Sequence, residues 1–191
     1  MRRWGVIAVV VVLAACATPA VQERAALPGL QTGAAPWLPE TATLRSRLSA
    51  IGLPALEHEG TIVHTHQHLD IIVNGRSIVV PANIGINQTE LYIAPIHTHD
   101  ETGILHVESD DVRSFTLGQF FDIWGVRFDA TCLGGYCTGD THRLRVFVNG
   151  LDMPGDPRSI ELEARQQIAV VYAERGTSVD VPSVYRFPSG Y

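Results

Sequence analysis

Six histidines sit in two short runs, "HTHQHLD" (64–70) and "IHTHDETGILHVES" (96–109), and their spacing is that of metal chemistry. Side chains alternate between the faces of an extended strand. His64, His66, His68 and Asp70 therefore share one face, and Leu69, Ile71 and Val73 share the other, which packs on a core. Histidines two positions apart lie about 6.8 Å apart along a strand, close enough for both rings to reach one ion. His64 and His68 are about twice as far apart, so this strand offers two ligands to one site. Its third histidine is left for a second ion, a supporting hydrogen bond or solvent.

In the second run His97 and His99 share a face. If Asp100–Gly103 is the whole loop of a hairpin, antiparallel register sets His97 opposite His106, with Cβ atoms about 5 Å apart. Glu108 then lies on the same side as His106. A loop one residue longer or shorter would turn His106 to the other face. Two imidazoles from one strand and one from the next leave a coordination position open on zinc or copper. The candidate ligands are thus His64, His66, His68, His97, His99 and His106. Glu108, Asp100 and Glu101 are the candidate acid–base groups or acceptors behind the ligands.

The plainer alternative is a histidine-decorated strand pair, or a pH sensor. Against it, histidine has no special preference for strands, and clustered imidazolium ions repel one another. Imidazole suits several first-row metals. Only Met153 remains once a leader is removed, which disfavours a methionine-rich copper(I) carrier. Copper or zinc comes first. Iron or manganese comes second, because "HTHDETGILH" is similar in part to the cupin metal motif, although the glycine framing and the Glu spacing differ.

The N-terminus bears on where this chemistry takes place. "MRRWGVIAVVVVLAAC" has a basic start, a short apolar run and small residues before Cys16. Those are the parts of a secretory signal, too short to remain as a membrane span. "LAAC" resembles the lipobox of bacterial lipoproteins. The resemblance implies lipidation of Cys16, a membrane anchor, and a location in the periplasm or on the cell surface. Removing residues 1–15 takes away Arg2 and Arg3 and moves the net charge from −6 to −8. All the positive charge is arginine, since the sequence has no lysine, so Schiff-base chemistry is excluded. An acidic chain without a basic cluster does not suit nucleic acid. Outside the cytoplasm Cys132 and Cys137, in "CLGGYC", are expected to pair as a disulfide.

These features define the expected organisation: a leader at 1–15, a flexible Ala/Pro/Gly-rich tether at 16–40, and one domain at 41–191 with its core at 60–174. Thr41–Leu53 reads as a short helix, and "TLGQFFDIWGV" (116–126) as an amphipathic one with Phe120, Phe121 and Trp124 inward. Asn74-Gly75 and Asn149-Gly150 mark hairpins. The expected fold is mainly β (α+β): a compact antiparallel domain of hairpins with one or two short helices. "HTHDETGILHVES", "FTLGQFFDIWGV", "CLGGYC" and the two "VNG" turns together resemble an uncharacterised extracytoplasmic family of bacteria and archaea. That resemblance implies one shared fold and no particular activity.

Two functions remain open. One is a lipid-anchored binding protein for copper or zinc. The other is a metalloenzyme whose three-histidine ion activates water or oxygen. A β-rich interaction module with a structural metal is a third, plainer reading. No protein partner is legible.

Overall fold

The structure, a computed structural model, describes residues 27–191; the leader and Cys16 lie outside them. Among the described residues two α-helices and eleven strands make the fold mainly β. They run α1 (Leu44–Ala50), β1 (Val63–Val73), β2 (Arg76–Ile78), β3 (Ile86–Asn87), β4 (Tyr92–Ile93), β5 (Ile96–His97) and β6 (Ile104–Ser109). Then follow α2 (Leu117–Trp124), β7 (Cys132–Leu133), β8 (Tyr136–Cys137), β9 (His142–Val148), β10 (Leu151–Asp152) and β11 (Gln167–Glu174). The main sheet has the order β10-β9-β11-β1-β6-β5, with β2 also paired to β1.

Both Asn-Gly turns form as read. Asn74 and Gly75 have φ of 50° and 78°, and Asn149 and Gly150 have 52° and 79°. Positive φ at both central residues is the geometry that twists tight hairpins correctly. They join β1 to β2 and β9 to β10. The sheet is mixed rather than purely antiparallel, because β1 and β11 pair in parallel from His68↔Gln167 to Val73↔Tyr172. No hairpin signal specifies that contact. It arises because β1 and β11 are both apolar on the same side and bury it together.

That side carries Leu69, Ile71, Val73, Leu105, Val107, Ile168 and Val170, all in the main core. Helix α2 adds Phe120, Phe121 and Trp124, each fully buried. It starts on a capping box in which the Thr116 hydroxyl accepts from the Gln119 amide and the Gln119 side chain accepts from Thr116 N–H. Gly125, at φ 75°, closes it. Helix α1 packs here through Leu44 and Leu48. Cys132 and Cys137 are disulfide-bonded and pin the β7–β8 turn.

The described part of the expected tether is not free. Trp37 is 3% exposed and meets Trp124 edge-on at 5.9 Å. Gln31 donates its N–H to Gly125 O at 2.7 Å and accepts from Arg127 N–H at 3.0 Å. Residues 27–40 belong to the domain, because one large aromatic and a two-bond bridge outweigh a composition that reads as linker. The opposite face of the sheet carries the histidines. Further along that face Val179 and Val181 pack on Phe147, Ala169, Val171 and Ala173.

Candidate metal centre

Three neighbouring strands build the centre. β6 lies between β1 and β5, and the registers His66↔His106 and His97↔His106 align three imidazoles in a row across the sheet. The β5–β6 connection is Thr98–Gly103, two residues longer than the loop expected, and this even difference keeps His106 on the side of His97. Gly103 closes it at φ +83°, where a Cβ would stand 2.7 Å from Leu69 O, so no other residue fits without displacing β1. One step along, His64 pairs with Glu108.

His99 lies beyond the end of β5, yet it remains on the side of His97. Fully buried Thr98 between them donates its hydroxyl to Pro81 O at 2.7 Å and accepts from Ile84 N–H at 3.1 Å. Its backbone N–H bonds Ile84 O and its carbonyl accepts from Asn83. With Thr98 held inward, the alternation aims both flanking imidazoles outward.

The ring nitrogens converge. His64 and His66 face each other Nε2 to Nε2 at 3.2 Å, and His97 and His99 do so at 3.1 Å. His106 sits among them, with ring centroids 4.6 Å from His66, 5.3 Å from His97 and 4.5 Å from His99. His97 Nδ1 lies 3.0 Å from Ala94 O. That carbonyl can only accept, so Nδ1 carries the proton and Nε2 offers a lone pair to a metal.

Among the described residues, Glu108 is the one carboxylate buried within the cluster. Its Oε1 is 3.3 Å from His64 Nε2 and 3.2 Å from His106 Nδ1, and its Oε2 is 3.9 Å from His97 Nε2. Burial by itself would raise its pKa. The His106 hydrogen bond and the charges of His97, His64 and His106 outweigh that and hold it below the ordinary carboxylate range. Oε2 is buried without a hydrogen-bond partner. A buried anionic oxygen left unpaired is costly unless a cation meets it.

Among the described residues, two sets of four could each hold an ion. They are His64, His66, His106 and Glu108, and His97, His99, His106 and Glu108, with the ligand atoms of each set within 4.8 Å of one another. Burial, then repulsion from His106 and His64, depresses the His66 pKa to about 4 against the opposing pull of Glu108. Burial likewise takes His97 to about 4 despite the charge of Glu108. Both rings are therefore neutral at pH 7, the form that ligates.

This has a consequence for stability. Unfolded His97 takes up a proton near pH 6.5, and the folded residue does so only near 4. Above 6.5 neither state is protonated. Between 6.5 and 4 the unfolded chain binds the extra proton, so stability falls as pH falls. Chemical denaturation of the metal-free protein is expected to show a loss approaching about 3 kcal/mol between pH 7 and 4 from this residue. His97→Gln should flatten the slope.

His68 is a correction to the ligand list. Its Nδ1 meets Gln167 Oε1 at 2.9 Å, its Nε2 meets Thr102 O at 2.8 Å, and Tyr185 stacks on the ring at 3.7 Å. Both nitrogens are committed to protein acceptors, so it fixes β11 and the hairpin loop to β1 and lies outside both sets. Asp100 and Glu101 also lie outside them, exposed at the loop tip. The Thr102 hydroxyl and amide bond Asp100 and lower its pKa.

Two neighbours were not foreseen. Glu59 Oε1 is 3.3 Å from His99 Nε2. The Tyr191 ring lies 4.7 Å from His66 and 5.6 Å from His106, held by Arg165, which donates to Tyr191 O at 2.6 Å. Neither follows from spacing, since Glu59 is remote in sequence from His99 and Tyr191 is remote from both histidine runs. Comparison with protein-family models, curated proteins and solved structures gives no match to this chain.

Proposed function

We propose that this chain is an extracytoplasmic, lipid-anchored protein that binds copper or zinc for capture, buffering or delivery. The observation that carries the reading is the buried Glu108 carboxylate, with one oxygen unpartnered, among five imidazoles. A divalent ion supplies the missing charge. The lipobox-like "LAAC" supports the anchor and the compartment, and the disulfide agrees with an oxidising one.

Binding is favoured over catalysis by the state of the carboxylates. Glu108 lies between imidazoles as a ligand, Asp100 is tied to Thr102, and Glu101 faces solvent. The two acids foreseen at the tip as a base for activated water are thus directed elsewhere. The accessibility is that of an exchangeable site: the side chains of His64 and His99 are 56% and 39% exposed, and His97 and Glu108 lie buried behind them. An ion can meet the outer ring of each pair first and the inner groups second.

Thermal unfolding tests the reading. Zinc or copper(II) at about a thousand times its dissociation constant is expected to add about 4 kcal/mol, or roughly 10 °C in Tm. A chelator should reverse the gain. Magnesium and calcium, which prefer oxygen ligands, should do nothing. Equal shifts for all four cations would contradict an imidazole site. Cys16→Ala should move the protein from the membrane to the soluble extracytoplasmic fraction; retention on the membrane would contradict the lipid anchor.

A further inference from the structure

We infer that the centre takes two divalent transition-metal ions, one on each side of β6, bridged by the Glu108 carboxylate. The inference rests on the metal-binding reading above and adds its stoichiometry and architecture.

The first argument is spatial. β1 and β5 flank β6, so their backbones are two strand spacings apart, about 10 Å. One histidine pair, His64 and His66, projects from the first of these strands. The other, His97 and His99, projects from the second and the residues just beyond it. Zinc–nitrogen bonds are about 2.0–2.1 Å, so the ligand atoms around one ion all fall within about twice that of one another. The histidine pairs fall into separate sets, joined only by His106 and Glu108. One ion satisfies one pair and leaves the other as two imidazoles facing nitrogen to nitrogen.

The second argument is the orientation of Glu108. Its oxygens diverge: Oε1 lies on the His64 side at 3.3 Å, and Oε2 on the His97 side at 3.9 Å. Oε2 is also the atom without a partner. A carboxylate with one oxygen toward each ligand pair is placed to bridge ions about 3.5–4 Å apart, the usual separation in two-metal sites. His106 completes one of the two coordination sets. Glu59, beside His99 at the exposed edge, offers a second carboxylate to offset the charge of the ion on that side.

Zinc alone is the probe. The full-length chain, without a histidine tag and in detergent, is stripped with chelator, titrated with zinc, and counted by native mass spectrometry. The wild type is expected to bind two ions per chain. His64→Ala/His66→Ala and His97→Ala/His99→Ala should each keep one, with circular dichroism matching the wild type. Glu108→Gln, of equal volume, should lose the second ion before the first. A single ion in the wild type would overturn the two-ion centre and leave the binding function standing. Loss of both ions in either double variant, with the fold intact, would overturn the assignment of one ion per pair. No zinc in any form would overturn this inference, and no uptake of copper(II) either would overturn the reading it rests on.

Discussion

Replacing Glu108 by glutamine is expected to weaken zinc binding at least ~100-fold while changing the stability of the metal-free protein by no more than about 1 kcal/mol. The effect on binding is the larger because Glu108 is placed for the ion. In the metal-free protein its Oε2 is a buried charged atom without a partner. Glutamine keeps an oxygen for the His106 Nδ1 contact at 3.2 Å and puts an amide where Oε2 stood, 3.9 Å from His97 Nε2. At 3.9 Å that contact is too long for a hydrogen bond, but the amide is neutral and so costs less to leave unpaired than the carboxylate oxygen did. The anionic ligand is lost with it. Competition against a chromophoric chelator measures the first effect, and urea denaturation in the presence of EDTA the second. Unchanged zinc affinity with a large loss of metal-free stability would make Glu108 a structural residue instead.

Arg47→Ala is expected to cost 3–5 kcal/mol, the range for removing one member of a buried charged network. Arg47 is fully buried in α1. Its guanidinium pairs with Glu40, donates to Thr43 Oγ1 at 2.7 Å, and donates to Ile123 O at 2.9 Å at the end of α2. Burial raises the Glu40 pKa, but the Thr43 hydrogen bond, then the Arg47 bond and charge, bring it below the usual range. Removing the guanidinium strands Glu40 and an α2 carbonyl and opens a cavity between the helices. Arg47→Met with Glu40→Gln should recover part of the loss, since it removes both charges and keeps much of the volume. Failure to recover anything would show that packing, not the orphaned carboxylate, dominates. Zinc stoichiometry should be unaffected, because this network lies among the helices and the histidines occupy the opposite face of the sheet.

The contrast between these two sites shows what a sequence discloses. The histidine centre depends on a period of two and a short connection, both local, so the His97↔His106 pairing could be worked out from the sequence although the loop proved to be Thr98–Gly103. The Asn-Gly turns and the Thr116–Gln119 box are likewise contained in a few adjacent residues. Arg47 was not legible, because its partners include Glu40 and Ile123 O and nothing in α1 announces them. The same holds for Trp37 against Trp124, and for the parallel contact of β1 with β11. His68 shows how local periodicity misleads. It has the face and spacing of a ligand, and Gln167 and Thr102, brought in by the fold, take both of its nitrogens.

Metal content is the most direct test of the centre. Untagged full-length protein, isolated from membranes without chelator, should carry stoichiometric zinc or copper by mass spectrometry of the digested sample. The variant in which His64, His66, His97, His99 and His106 are all replaced by alanine, with the same circular dichroism, should carry none. Absence of metal from the wild type, with no uptake on titration with either ion, would contradict the account and leave the clustered imidazoles without a ligand.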